Sequence, residues 1–409
     1  MDEPQRIVMP DSTVIGLAAE NAAGPIYVTS IAKDLDSGLT QTTLSAVDLS
    51  GKVRWRRLFA GRAGAPRATG DGGVWLARHE PDGTAVLEET GSDGASARAI
   101  RISHHPDEKL SEVILLPDGF CTAWTSGPPY RGARIDRRGT DGARIWSAAI
   151  PPDQLAHDRI MEASADTGWR SRPKPAWIPN NFQLHHWEPL LVSGDRILAS
   201  YREGKTGLGI SYFVNAETGE IIKSTEPASI AHKAILGNGE FLIGAQGYDE
   251  FATVRYDRAG DQATRWPTSG ATLIDRAGNP FVVEFDNRAT AQQRFRLMEP
   301  DGSLSDGPVL AGRNTAHPAL DRDGTVVLWR NRSLLIIDEG RIVRELFRER
   351  ENVSYISRVL LLEDGIVALG LDGDLLIFRT ALGPLEDSVW PCGDGNLNGN
   401  PVASEVLTA

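Results

Sequence analysis

Eight short runs of apolar and β-branched residues recur along the chain, each introduced by a turn that contains Gly, Asp or Asn. They occupy residues 25–28, 74–77, 120–124, 197–201, 241–244, 281–285, 326–329 and 366–369. Counted from Ile26 in the first run and from the first residue of each later run, six of the seven steps measure 40 to 48 residues, and the remaining one measures 77. A shorter apolar segment precedes each run, as at 111–116 before Pro117-Asp118-Gly119. Another strand-like segment follows, then a Gly turn, then a last segment often closed by Trp, as at Trp55, Trp146 and Trp266. Asp-Gly and Gly-Lys pairs suit the φ > 0 positions of tight hairpins. Four short strands in 40 to 48 residues is the period of a propeller blade. The expected fold class is therefore all-β: an eight-bladed β-propeller of four-stranded antiparallel blades, with seven blades as the alternative. Residues 6–9 are expected to supply the outer strand of the last blade. Helical periodicity is nearly absent, with a turn or two expected at 162–169.

Composition narrows the class further. A chain of 409 residues carries a soft prior of two or three domains, but propellers run this long as one. The organisation expected is a single domain over 1–409, with an inserted loop at 151–187 and a terminal tail at 388–409. Hydrophobic residues at 41% and charged residues at 24% are ordinary for a folded protein. No stretch approaches 18 consecutive apolar residues, so no membrane-spanning helix is expected. The net charge of −12 argues against nucleic acid as a partner. Cys121 and Cys392, 271 positions apart, read as free thiols, with a single bridge left open.

The segment from Thr43 through Ala46-Val47-Asp48 to Gly51-Lys52-Val53-Arg54-Trp55 resembles the PQQ-like, quinoprotein-type propeller repeat. Residues 142–146 and 262–266 carry parts of the same pattern. The segment Ser388-Val389-Trp390-Pro391-Cys392-Gly393-Asp394-Gly395-Asn396 resembles a Ser-X-Trp-Pro-X-X-X-Gly-Asp/Asn tail of exported bacterial members. The resemblance implies a propeller, WD40-like in its repetition, from a superfamily of quinone-dependent dehydrogenases and non-catalytic scaffolds. Its enzymes seat the quinone against a vicinal disulfide, with calcium held by Glu, Asn and Asp. No two cysteines are adjacent here. That departure argues against PQQ and points to a non-quinone member. The exported tail suggests a periplasmic or secreted protein whose leader is absent from this chain. Residues 1–6 show no signal peptide, so the chain as written reads as cytoplasmic.

The 77-residue step is the sharpest asymmetry. It places about 30 extra residues at 151–187, and long loops in compact folds are commonly functional. The insertion carries Trp169, Trp177, His185, His186 and Trp187. It is expected to roof one face of the propeller, where the loops after each central strand also emerge. Those loops hold Arg78, His79, Trp124, Tyr130, Arg131, Tyr201, Arg202, Asp249, Asp286, Arg288, Trp329 and Arg330. Aromatic rings with Arg, His and carboxylates suit a pocket for a small polar ligand, a glycan or a peptide. The leading expectation is a monomeric ligand- or peptide-binding propeller with its pocket at the central channel under the insertion, needing no cofactor. The alternatives are a lyase or hydrolase acting on a carbohydrate or peptide-like substrate, and a protein-assembly scaffold. An enzyme would use His186, Tyr201 and Arg202, a base beside a cation that stabilises an enolate. Asp394, Asn396, Asn398 and Glu405 match the spacing of a calcium loop, which makes Ca²⁺ a minority expectation in the tail.

Overall fold

A computed structural model describes residues 3–9, 12–33, 40–80, 82–126, 133–150, 182–184, 190–203, 208–246, 251–284, 293–310, 315–338, 340–350, 353 and 356–403. The chain is all-β. Its strands form eight four-stranded antiparallel sheets, the blades of an eight-bladed β-propeller. Among the described residues the one helical element is a 3-10 turn, Glu363–Gly365.

The contacts fall into two compact units. Unit 1 comprises Met1–Ser103, Ala271–Met298 and Ser305–Asn400. It holds sheet 1 (Thr13–Ala19, Ile26–Lys33, Thr40–Val47, Val53–Ala60) and sheet 2 (Arg67–Ala68, Val74–His79, Ala85–Thr90, Ser96–Ile102). It also holds sheet 7 (Thr315–Leu320, Val326–Arg330, Ser333–Asp338, Ile342–Arg348) and nearly all of sheet 6 (Gly270–Ile274, Pro280–Glu284, Gln293–Leu297, Val309–Leu310). Sheet 8 takes three strands from the end of the repeat (Ile356–Leu361, Ile366–Leu371, Asp374–Arg379). Its fourth is the N-terminal strand Gln5–Val8, antiparallel to Asp374–Arg379, as the sequence led us to expect.

Unit 2 comprises His104–Gly270, Glu299–Leu304 and Pro401–Ala409. Sheet 3 is Glu108–Leu116, Gly119–Ser126, Ala133–Gly139 and Arg144–Ile150. Sheet 4 is Leu190–Ser193, Arg196–Glu203, Gly209–Asn215 and Ile221–Ser224. Sheet 5 is Ile230–Gly237, Glu240–Gln246, Phe251–Tyr256 and Gln262–Trp266.

Alternation along the strands sends apolar side chains into the layers between neighbouring sheets. Leu17, Val28, Leu360, Ile366 and Leu375 join sheets 8 and 1, while Ile114, Ile135, Ile197, Tyr201 and Val214 join sheets 3 and 4. Because each sheet is antiparallel, its turns leave at two ends. The first and third turns share one end, called here the turn end. The second turn and the exit to the next sheet share the other, the loop end.

Most turn ends repeat one device. In sheet 1, Asp48 Oδ1 accepts from the backbone N–H of Ser50 (3.0 Å) and Lys52 (2.9 Å). Gly51 at φ +84° closes the turn by donating to the Asp48 carbonyl, a conformation glycine adopts without the Cβ clash. The same backbone pair recurs at 91–95, 139–143, 257–261, 275–279, 299–303 and 321–325. These are the Gly-containing turns that punctuate the sequence repeat.

Candidate functional site

Beyond Arg379 the chain does not leave the fold. Within unit 1 it crosses the turn ends of the first strands of all five sheets. Leu385 N donates to Leu361 O of sheet 8, and Glu386 N to Leu320 O of sheet 7. Ile274 N of sheet 6 donates to Trp390 O at 2.8 Å, and Leu320 N to Pro391 O at 2.8 Å. Ala19 N of sheet 1 donates to Leu397 O, and Ala68 N of sheet 2 to Asn398 O. Trp390 and Cys392 are buried. Within unit 2 the last described residues, Val402–Ala403, run parallel to Leu190–Ser193 as an added strand of sheet 4.

Two arginines of unit 1 grip this tail. Arg358, buried in sheet 8, donates to Cys392 Sγ at 3.1 Å and to the Asn396 carbonyl, and its Nε lies 3.2 Å from Asp394 Oδ1. Arg67 of sheet 2 donates to the Gly399 carbonyl. The residues that match a calcium loop are thus engaged on protein groups. Asp394 faces a guanidinium. The Asn396 side chain donates to Asn400 O and accepts from Asn400 N, and Asn398 Oδ1 also accepts from Asn400 N. Glu405 lies outside the described residues. Both cysteines are free and buried, and burial pushes each thiol up to about 12.

The loop ends differ. In unit 1 a cleft of about 700 Å³ opens where the chain passes from Gln5–Val8 of sheet 8 into the first strand of sheet 1. Backbone bonds fix that passage: Met9 N donates to Gly373 O (2.7 Å), and Val14 N to Asp372 O (2.6 Å). Gly373 is required there, since a Cβ would stand 2.7 Å from the Ser12 carbonyl. The apolar residues Val8, Ile15 and Ile31 line the cleft with Ser12, Thr13 and Thr40, and Met9 at its edge is buried in the sheet 8–1 layer. Asp374 and Arg62 add charge at its walls. Sequence reasoning missed all of these as ligand-facing residues. Assigning residues 6–9 to the last blade was the available signal, because it forces the chain to cross between sheets 8 and 1 just before Thr13.

Those residues singled out from the sequence that the structure describes at the loop ends are in different states. Arg78 is paired with Glu88 (2.8 Å) and Glu80 (3.3 Å), and it lies over the Phe59 ring at 5.5 Å. His79 Nδ1 is 3.3 Å from the Gly83 carbonyl of its own turn. Trp124 is fully buried, with His104 stacked at 5.0 Å, Arg134 at 4.9 Å and its indole N–H on Thr122. Arg134 in turn is forked onto Glu108. Trp329 is buried beside Phe347. Arg330 is buried and donates to Glu284 O (3.2 Å) and Gln293 Oε1 (3.1 Å), a grouping the sequence did not suggest. Tyr201 is completely buried at the sheet 3–4 layer, and burial pushes its phenol well above the ordinary value, which disfavours the phenolate. Its neighbour Arg202 is described as strand backbone, paired with Gly209 and with Gln183. Tyr130, Arg131, Trp169, Trp177, His185, His186, Trp187, Asp249, Asp286 and Arg288 lie outside the described residues.

No family model matches the chain, and no curated protein does. Solved structures that resemble it include β-propellers. The β-propeller domain of the trilobed protease from Pyrococcus furiosus is 11% identical, covers 94% of this chain and 98% of its own, and has a TM-score of 0.44. YCF48 from Cyanidioschyzon merolae is 12% identical over 92% of this chain and 99% of its own, with a TM-score of 0.43. The WD40 β-propeller domain of Doa1 is 11% identical over 92% and 97%, with a TM-score of 0.41. Likenesses at this level carry no argument about function.

Proposed function

We propose that this protein is a binding propeller, not an enzyme, and that it holds a small polar or peptide ligand in the unit 1 cleft at the loop ends of sheets 8 and 1. The observation that carries the reading is the cleft itself, of a size that suits such ligands and lined by aliphatic walls with a few placed polar groups. The tail supports it from the other side, because the turn ends of unit 1 are already occupied by residues 385–398. Kinship with the non-quinone members of the PQQ-like repeat superfamily fits this role and rests on the sequence pattern alone.

A second reading places the ligand in unit 2, under the insertion at 151–187. Its support is the short strand Phe182–Leu184, which pairs with Tyr201, Arg202 and Glu203 and so brings the end of the insertion to the loop end of sheet 4. A thermal-shift screen separates the two. Short peptides and neutral and uronate oligosaccharides would be tested on the parent protein, on Thr40→Val/Ile31→Asn, and on a variant with 151–181 replaced by a Gly-Ser linker. A ligand that binds only the folded form raises the melting temperature by mass action. The first reading expects a saturable shift lost in the cleft variant and kept in the linker variant. The reverse pattern supports the second, and the absence of any shift would sink both.

A further inference from the structure

The charge balance of the unit 1 cleft narrows its ligand, an inference that rests on the cleft being the binding site. Two charged side chains among the described residues line it. Asp374 is already compensated, because its carboxylate accepts from Arg6, which also pairs with Glu349. Arg62 is exposed and has no hydrogen-bond or ion-pair partner among the described residues. Its root is nonetheless fixed. Gly61 N donates to Thr40 O (2.8 Å), and Thr42 Oγ1 donates to Gly61 O (2.8 Å) while accepting from Ala63 N (3.0 Å). An arginine with no partner among the described residues therefore lines the cleft together with Val8, Ile15 and Ile31. The Ser12 hydroxyl donates to Met9 O, which leaves its oxygen free to accept.

We propose that the cleft takes the free C-terminus of a peptide ending in an aliphatic residue. Its carboxylate pairs with Arg62, whose planar fork matches a carboxylate in two parallel hydrogen bonds. Its last side chain lies on Val8, Ile15 and Ile31, and its preceding amides meet the hydroxyls of Ser12, Thr13 and Thr40. A lone small carboxylate would leave most of the 700 Å³ unfilled. An oligosaccharide would cover the aliphatic wall with hydroxyls and gain little from it.

The test is calorimetric titration of the full chain with N-acetyl-Ala-Ala-Leu and with the same peptide as its C-terminal amide. We expect the acid to bind at least tenfold more tightly. Arg62→Gln should bring the acid down to the level of the amide, leave the amide unchanged and keep the parent melting temperature. Arg62→Lys should recover part of the difference. Equal binding of acid and amide, unaffected by Arg62→Gln, would overturn the carboxylate assignment and leave the cleft as a site of other specificity. Failure of both peptides at millimolar concentration, with the parent folded, would overturn the assignment. If the wider screen also gave no shift, the binding function would fall with it.

Discussion

Compare the two ends of the sheets in unit 1. At the turn ends the chain is bonded to itself: Asp-Gly turns close the hairpins, and the tail caps the first strands of five sheets with main-chain hydrogen bonds. Buried Trp390, Cys392 and Arg358 anchor that cap. At the loop ends of sheets 8 and 1, the side chains of Thr13, Thr40 and Arg62 face a cleft instead. A surface that consumes its polar groups internally has little left for a partner. One that keeps a cation with no partner among the described residues beside aliphatic side chains suits the ligand proposed above. The difference places the bonded cap at one end, and the proposed function uses the other.

Substitutions at the tail should break the fold, and substitutions at the cleft should not. Trp390→Ala removes the largest side chain of the cap, and urea unfolding should show a loss of about 3–5 kcal/mol. Asp394→Ala takes the carboxylate from the buried Arg358 guanidinium and leaves it only Cys392 Sγ and the Asn396 carbonyl among the partners described above. Its expected cost is about 2–3 kcal/mol, below that of a fully buried broken pair because Asp394 keeps some contact with water. The pH dependence sharpens the picture away from either end. Burial alone would push Glu88 up, but Arg78, Ser96 and Arg57 outweigh it and hold the carboxyl below its ordinary value. A lowered carboxyl pKa stabilises the fold above the unfolded value of about 4.3, and that stabilisation is lost as pH falls through the folded value. Stability measured from pH 7 to pH 3 should therefore fall at the acid end, and Glu88→Gln should flatten part of that fall. The smallest effect belongs to Arg62→Gln, whose urea midpoint should match the parent, as expected of an exposed side chain with no partner among the described residues.

Much of this architecture was legible in the sequence because it is periodic. Asp48 with Gly51, Asp257 with Gly260 and Asp321 with Gly324 mark hairpins by local turn chemistry, and alternating Val, Ile and Leu mark the strands between them. Residues 6–9 could be placed in sheet 8 because that sheet otherwise lacks its fourth strand. The tail resisted reading because its contacts are made by carbonyls and N–H groups, which leave no residue signature. Its Asp394 and Asn396 suggested a cation loop, and the partners they face, Arg358 and the Asn400 backbone, are a long-range charge and a local turn. The cleft resisted for another reason. Thr13, Ile31, Thr40, Arg62 and Asp374 come from four strands and one strand exit, so no motif spacing joins them. Trp124 and Trp329 stood out as aromatic, but both are packed in the sheet layers.

Hydrogen exchange, read by mass spectrometry with and without saturating N-acetyl-Ala-Ala-Leu, tests the division of labour most directly. The account predicts new protection at residues 12–15, 31, 40, 61–63 and 373–374. It predicts tail amides at 385–398 that are already slow and do not change. Protection that appeared in the tail and left the cleft untouched would contradict it, since the turn end would then be the ligand site.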